Sequence, residues 1–147
     1  MRVLSLLVLP IAVLACSSDS TGSASERSVT QTIGVEGGTI NVDGATVTFA
    51  KGALTESKSI TIASTDKVPD GYVALSKVFE CGPSGTSFAA DVTMEMPFTD
   101  DGKGPVTMFW TAGPDPSFKD IGGTPANGVM KATVKHFSGG FVGRKKE

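Results

Sequence analysis

The stretch at residues 39–49, TINVDGATVTF, holds two runs in which apolar and polar residues alternate on either side of an Asp-Gly pair. Alternation with a period of two is typical of a strand with one buried face, because successive side chains point to opposite sides of a sheet. Asp43 and Gly44 favour a tight hairpin turn, because the turn that suits strand twist requires positive φ. The stretch therefore predicts a two-stranded antiparallel hairpin.

The same pattern continues along the rest of the chain. Further alternating runs occupy residues 59–62, 78–81, 91–96, 106–110 and 129–137, and an Asn-Gly pair at residues 127–128 precedes the last of them. Glycine and proline interrupt the chain at short intervals, and no stretch keeps an apolar period of 3.6 residues. These features predict an all-β protein, an antiparallel β-sandwich of about seven to nine short strands.

The N-terminus has the organisation of an export signal. Arg2 is followed by an apolar run that is shorter than the roughly 20 residues needed to span a bilayer, as in the central region of a signal peptide. The run ends in Val13-Leu14-Ala15-Cys16, which resembles the bacterial lipobox, where a small residue precedes the cysteine that receives the lipid. We therefore expect a signal peptide at residues 1–15 and lipidation of Cys16. The alternative is an ordinary signal peptide in which Cys16 has no role.

The predicted anchor also bears on location and domain organisation. Residues 16–28 are rich in serine and predict a flexible linker that separates the lipid from a single domain at residues 29–147. The residue after the cysteine is Ser17, which resembles an outer-membrane address among lipoproteins of bacteria with two membranes. We therefore expect a cell-envelope protein that is anchored in the outer membrane by its lipid. The membrane itself is then the partner that the lipid binds.

The charge distribution argues against a nucleic-acid partner. The chain has 13 basic and 15 acidic residues, and the basic cluster is confined to residues 144–146. Nucleic-acid binding requires a basic face, so we expect none here. The basic triplet is predicted to be a solvated tail.

Three blocks of sequence identify a family resemblance. Residues 47–54, VTFAKGAL, residues 81–88, CGPSGTSF, and residues 136–138, HFS, occur in this order. They resemble the ZU5 domain, the β-sandwich shared by zonula occludens proteins, netrin receptors and ankyrins. Lys51 and Asp91 stand where that family usually has proline.

The resemblance covers residues 33–142 and implies a fold rather than a partner. The residues carried over from the family motif, all with structural roles, are Gly52, Ala53, Cys81, Gly82, Pro83, Gly85 and Phe88. Positive φ is expected at Gly52 and Gly85, where strands run into turns, and Cys81 is expected to be a buried core residue. The spectrin binding of ankyrin-type members is not implied, because no residues for it are identifiable.

The resemblance also raises one chemical hypothesis, because some family members cut their own backbone at His-Phe-Ser. Ser138 Oγ would attack the carbonyl of Phe137, an ester would form by an N→O shift, and water would hydrolyse it. His136 would accept the hydroxyl proton. In the alternative, Phe137 is a core residue of the last strand, His136 and Ser138 face outward by alternation, and nothing is cut.

Other sites have little support in the sequence. The chain has one histidine and no second cysteine in the domain, and the spacing of Asp100 and Asp101 does not match a calcium loop, so we expect no metal and no cofactor. Phe109 and Trp110 are adjacent in an alternating run, so only one of them should face the core. The other is expected either to lie under a loop or to serve as a surface aromatic for a carbohydrate or protein partner.

The sequence as a whole favours a lipoprotein with a structural or binding role and without enzymatic activity. The alternatives are the self-cleaving module and a surface binder of carbohydrate or protein that uses loop aromatics. The identity of a glycan or protein partner is not encoded in any recognisable motif.

Overall fold

The computed structural model describes residues 26–112 and 115–147. The predicted signal peptide, Cys16 and most of the predicted linker lie outside the described residues. The described part of the chain contains no helix, and hence none that is long and apolar enough to cross a membrane. The strands are β1 (Arg27–Ile33), β2 (Gly38–Val42), β3 (Ala45–Phe49), β4 (Lys58–Thr65), β5 (Tyr72–Ala74), β6 (Val78–Gly82), β7 (Ser87–Pro97), β8 (Thr107–Ala112), β9 (Asp115–Gly122), β10 (Thr124–Ala126), β11 (Val129–His136) and β12 (Gly139–Lys145).

The strands form two antiparallel sheets. The seven-stranded sheet has the order β1-β4-β6-β12-β8-β9, with β5 also paired to β12, and the five-stranded sheet has the order β10-β11-β7-β3-β2. The predicted antiparallel β-sandwich is confirmed. The described strands number twelve rather than seven to nine, because β5 and β10 are only three residues long and β1 begins at Arg27, inside the predicted linker. Such short strands leave little alternation in a sequence.

The two predicted hairpin turns form as expected. Asp43 and Gly44 join β2 to β3 with φ of 47° and 80°, and Asn127 and Gly128 join β10 to β11 with φ of 51° and 75°. Both pairs therefore adopt the left-handed conformation of a primed two-residue turn. The strands register directly across the first turn, with Val42 opposite Ala45.

The core lies between the sheets, where the alternating apolar residues of both inner faces meet. Its largest fully buried members are Phe79, Phe137, Ile33, Ile40, Ile60, Ile62, Met94, Met96, Met108 and Met130. A second, smaller cluster lies on the outer face of the seven-stranded sheet. There Val78, Phe109 and Phe141 are buried under Tyr72 and Phe118, which come from β5 and β9.

Candidate functional site

The His-Phe-Ser tripeptide lies where the chain crosses between the sheets. His136 is the last residue of β11 in the five-stranded sheet, and Gly139 is the first residue of β12 in the seven-stranded sheet. Phe137 and Ser138 form the connection. Phe137 is buried, but it lies in this crossover and not in the last strand.

The Phe137 ring is held by two other aromatic rings of the core. It meets Phe88 edge-on with ring centroids 4.8 Å apart, and it meets Phe49 in the same way at 5.6 Å. Edge-to-face pairs of this kind add about 0.5–1.5 kcal/mol beyond the burial of area. Phe88, carried over from the family motif, therefore packs directly against the centre of the tripeptide.

The loop between β6 and β7 also binds the backbone of Phe137. The Phe137 N–H donates to the Thr86 carbonyl at 2.8 Å, and the Gly85 N–H donates to the Phe137 carbonyl at 2.9 Å. In addition, the Cys81 N–H donates to the Ser138 carbonyl at 2.8 Å. The family motif at residues 81–88 and the tripeptide, 48 or more residues apart, therefore form one site.

Ser138 is buried, contrary to the alternation argument. It is only 7 % exposed, in the crossover where the alternation of β11 has ended, and with Thr111 it lines a cavity on the outer face of the seven-stranded sheet. Its hydroxyl is hydrogen-bonded to the hydroxyl of Thr111 on β8, and Thr111 Oγ1 also accepts the Gly139 N–H at 3.1 Å. The hydroxyl of Ser138, the candidate nucleophile, is therefore bonded to another hydroxyl group.

Thr111 is a residue of the site that the sequence did not indicate. It is brought to Ser138 by the pairing of β8 with β12, in which Trp110 lies opposite Gly140. A threonine 27 residues away carries no local signal of this contact. Only the sheet register places it there.

The imidazole of His136 binds a backbone carbonyl and not the candidate nucleophile. Its Nε2 lies 3.1 Å from the Thr111 carbonyl oxygen, and because a carbonyl can only accept, this contact requires the proton on Nε2. The His136 carbonyl in turn accepts from Trp110 Nε1 at 3.2 Å. Among the described residues, no hydrogen bond joins His136 to Ser138. The imidazole therefore does not occupy the position of a general base toward Ser138.

The remaining motif residues have structural surroundings. Cys81 is 4 % exposed, and burial, followed by the nearby Glu80 carboxylate, raises the pKa of its thiol to about 12, so the reactive thiolate is scarce at neutral pH. Gly52 and Gly85 have the expected positive φ, 78° and 79°. The carbonyl of Pro83 accepts the Thr86 hydroxyl at 2.7 Å. The carbonyl of Ala53, which is buried, accepts the Ala89 N–H, and Gly82 ends β6.

Phe109 and Trp110 are both buried, on opposite faces of their sheet. Trp110 belongs to the core between the sheets, and Phe109 lies in the outer-face cluster, stacked on Phe141 and covered by Tyr72. Each is 3 % exposed. Only one of the two faces the core, as expected, and neither is placed to serve as a surface aromatic.

The loop after β7 contains an ion pair with β12. Asp101 binds Arg144 through both carboxylate oxygens at 2.7 and 2.6 Å, and these hydrogen bonds lower the pKa of Asp101 to about 2. Arg144 therefore belongs to β12 and to this pair rather than to a solvated tail. Asp100 accepts the Gly102 N–H at 2.9 Å. The described ranges hold no cluster of three residues suited to a metal ion.

Comparison with known proteins agrees with the architecture. No curated protein matches the chain. The model of the ZU5 domain matches residues 29–106, which is more than half of the chain and includes β2 to β7 and the motif at residues 81–88. The chain therefore belongs to the ZU5 domain family.

Proposed function

We propose that this protein is a cell-envelope lipoprotein, anchored through Cys16 in the outer membrane, whose ZU5 sandwich has a structural or binding role. The observation that carries the proposal is the apolar segment that ends in Val13-Leu14-Ala15-Cys16. The first strand of the described residues begins at Arg27, and residues 17–26, which lie between it and the predicted lipid, are rich in serine. Two or more acyl chains, as in mature lipoproteins, are enough for stable membrane binding.

The surroundings of the two candidate nucleophiles favour a structural or binding role over catalysis. The Cys81 thiol is buried with a raised pKa, and the Ser138 hydroxyl is bound to Thr111. A nucleophile normally needs an adjacent base or a lowered pKa. Neither condition is met by these two side chains.

The anchor can be tested by labelling cells with a radioactive fatty acid. Wild-type protein should take up the label and sediment with membranes, because the acyl chains would be attached at Cys16. The Cys16→Ser variant should take up none, whereas Cys81→Ser is a matched control that should still be labelled. Wild-type protein without label would refute the anchor.

Self-cleavage between Phe137 and Ser138 is a second candidate, and one contact favours it. The Gly85 N–H donates to the carbonyl that would be attacked, at 2.9 Å, and a donor at that position stabilises negative charge developing on the oxygen. In the reaction, Ser138 Oγ would bond to the Phe137 carbonyl carbon and lose its proton. The Ser138 nitrogen would leave as an amine, and water would then release the Phe137 carboxylate from the ester. The observation against this candidate is that His136 Nε2 binds the Thr111 carbonyl and makes no hydrogen bond to Ser138 among the described residues.

Hydroxylamine provides the test of cleavage, because it traps an ester faster than water does. A self-cleaving protein incubated at neutral pH would release residues 138–147 under denaturing conditions, faster with hydroxylamine, and Ser138→Ala would abolish the release. Because this fragment contains β12, which pairs with β5, β6 and β8, native chromatography would not separate it. We expect the wild-type chain to remain intact, since His136 Nε2 binds the Thr111 carbonyl and not the Ser138 hydroxyl.

A further inference from the structure

The outer face of the seven-stranded sheet carries a trough beside the aromatic cluster. A cavity of about 470 Å³ is lined by residues that include Thr61, Ala63, Val78, Glu80 and Phe118. A neighbouring cavity of about 300 Å³ shares Val78, Glu80 and Phe118 with the first and extends to Val68 and Pro69. We call the two cavities together the Glu80 trough. The larger one alone has the size of many ligand sites.

The trough is open because small residues flank Glu80 on both sides. In the sheet register, Ala63 of β4 and Gly139 of β12 lie opposite Glu80 of β6. Directly paired residues of neighbouring strands project to the same face of a sheet. A Cβ on Gly139 would lie 3.6 Å from Cγ of Glu80, which places the missing side chain inside the trough. A methyl group and a hydrogen atom therefore stand where larger residues would fill the space.

The Glu80 carboxylate has no partner of its own within the described ranges. The side chain is exposed, and no ion pair or hydrogen bond engages it there. Lys67 and Asp70 line the smaller cavity of the trough with Glu80, and Arg27 lines an adjoining cavity. Arg27 binds Asp43 at 3.2 Å, and Lys67 makes no ion pair with Glu80. The trough thus combines apolar walls with two carboxylates, Glu80 and Asp70, and one ammonium, Lys67, a net charge of −1.

Exposed apolar surface continues from the trough at one end. Val68 is 44 % exposed and is one of three exposed large apolar residues among those described. At the other end the lining includes the hydroxyl-bearing residues Thr61 and Ser84. A ligand that spans the trough would therefore meet an apolar surface, then a carboxylate, and then hydrogen-bonding groups.

We propose that the Glu80 trough binds an extended segment of a partner protein, with a lysine of that segment paired to Glu80. A lysine side chain suits the site because its aliphatic stem can pack on Val78 and Phe118 while its ammonium meets the carboxylate. An extended segment suits it because the trough continues past the space that one side chain fills. This inference rests on the binding role proposed above and identifies its surface.

The test uses the ¹⁵N-labelled full-length chain in a non-ionic detergent and the peptide acetyl-Val-Lys-Val-amide. Changes in amide chemical shift, induced by millimolar concentrations of the peptide, should map to β4, β6 and the start of β12. A peptide with norleucine in place of lysine keeps the stem without the charge, and it should bind about three- to fivefold more weakly, as expected for loss of a partly exposed ion pair. Glu80→Gln should weaken the lysine peptide equally, and Glu36→Gln, a charge change on an exposed loop, should not.

Filling the trough is the independent arm of the test. Ala63→Leu should reduce peptide binding more than tenfold, because the longer side chain would occupy the space next to Glu80. Absent shifts, shifts elsewhere, or equal affinity of wild type and Glu80→Gln would overturn the proposal. If Ala63→Leu unfolds, Glu80→Gln and the norleucine peptide still decide the question. Lipid labelling is measured separately, so failure here leaves the anchor standing.

Discussion

At the residue scale, the close approach of Trp110 leaves space only for glycine at position 140. A Cβ built on Gly140 would lie 2.2 Å from the Trp110 ring and 2.5 Å from the Phe109 carbonyl oxygen, although the φ of Gly140 is not positive. The requirement is therefore one of space and not of backbone conformation. The neighbouring Gly139 is less crowded, since its nearest contact would be the Phe79 carbonyl at 3.3 Å.

This difference predicts unequal effects of two adjacent substitutions. Gly140→Ala should lower the free energy of unfolding by about 3 kcal/mol, the upper range for overpacking, because both a ring and a backbone atom obstruct the methyl group. Gly139→Ala should change the free energy of unfolding by less than about 1 kcal/mol. The added methyl group lowers the conformational entropy of the unfolded chain, and this stabilisation offsets the mild steric contact in the folded state. Urea unfolding of both variants checks this. Equal destabilisation would contradict the assigned role of Trp110.

At the element scale, the hairpin of β2 and β3 is tied to the other sheet through its turn. Asp43 accepts a hydrogen bond from the hydroxyl of the buried Ser64 at the end of β4, and it pairs with Arg27 at 3.2 Å and Lys77 at 3.5 Å. The Ser64 hydroxyl first, and then the charges of Lys77 and Arg27, hold the pKa of Asp43 below its usual value. One carboxylate thus connects the five-stranded sheet to β1 and β4.

The lowered pKa predicts the pH dependence of stability. Because the pKa of Asp43 is lower in the folded than in the unfolded state, its ionised form stabilises the fold at neutral pH, and this contribution is lost as the pH falls below about 4. Asp43→Asn should cost about 1.5–3 kcal/mol of unfolding free energy at pH 7, the range for a hydrogen bond to a charged group. The difference from wild type should shrink in acid.

The control for this prediction is a carboxylate of the same kind in an exposed pair. Asp91 pairs with Lys135 at 3.1 Å, and both side chains are more than two-thirds exposed. Asp91→Asn should change stability by less than about 0.5 kcal/mol at any pH. A constant difference between Asp43→Asn and wild type from pH 7 to pH 3 would show that the charge of Asp43 does not contribute.

The elements differ in how far the sequence predicts them. Asp43-Gly44 and Asn127-Gly128 determine their turns locally, because positive φ is a property of those residues, and so both hairpins were predictable. The contacts of Asp43 with Ser64 and of Ser138 with Thr111 depend on how two sheets pack and register, which no local pattern encodes. The alternation argument consequently failed at Ser138, where the strand ends, and it held for Trp110 within β8.

At the scale of the whole molecule, the described domain is a self-contained sandwich that needs no disulfide. The one described cysteine, Cys81, is unpaired and buried, and in the described residues every buried polar side-chain atom has a hydrogen-bond partner. Stability thus derives from the core and its satisfied polar groups. The first described strand begins at Arg27, eleven positions after Cys16, so a lipid at the proposed site would hold the sandwich near the membrane.

The intact mass of the protein purified from membranes, measured under denaturing conditions, tests this account most directly. We expect a single species that begins at Cys16, carries the mass of attached acyl chains and ends at Glu147, as follows from the proposed anchor at Cys16 and from the hydrogen bond of His136 to Thr111 in place of Ser138. A species without acyl mass, or one that begins at a residue other than Cys16, would contradict the lipoprotein assignment. A species that ends at Phe137 would show that the self-cleaving alternative is correct.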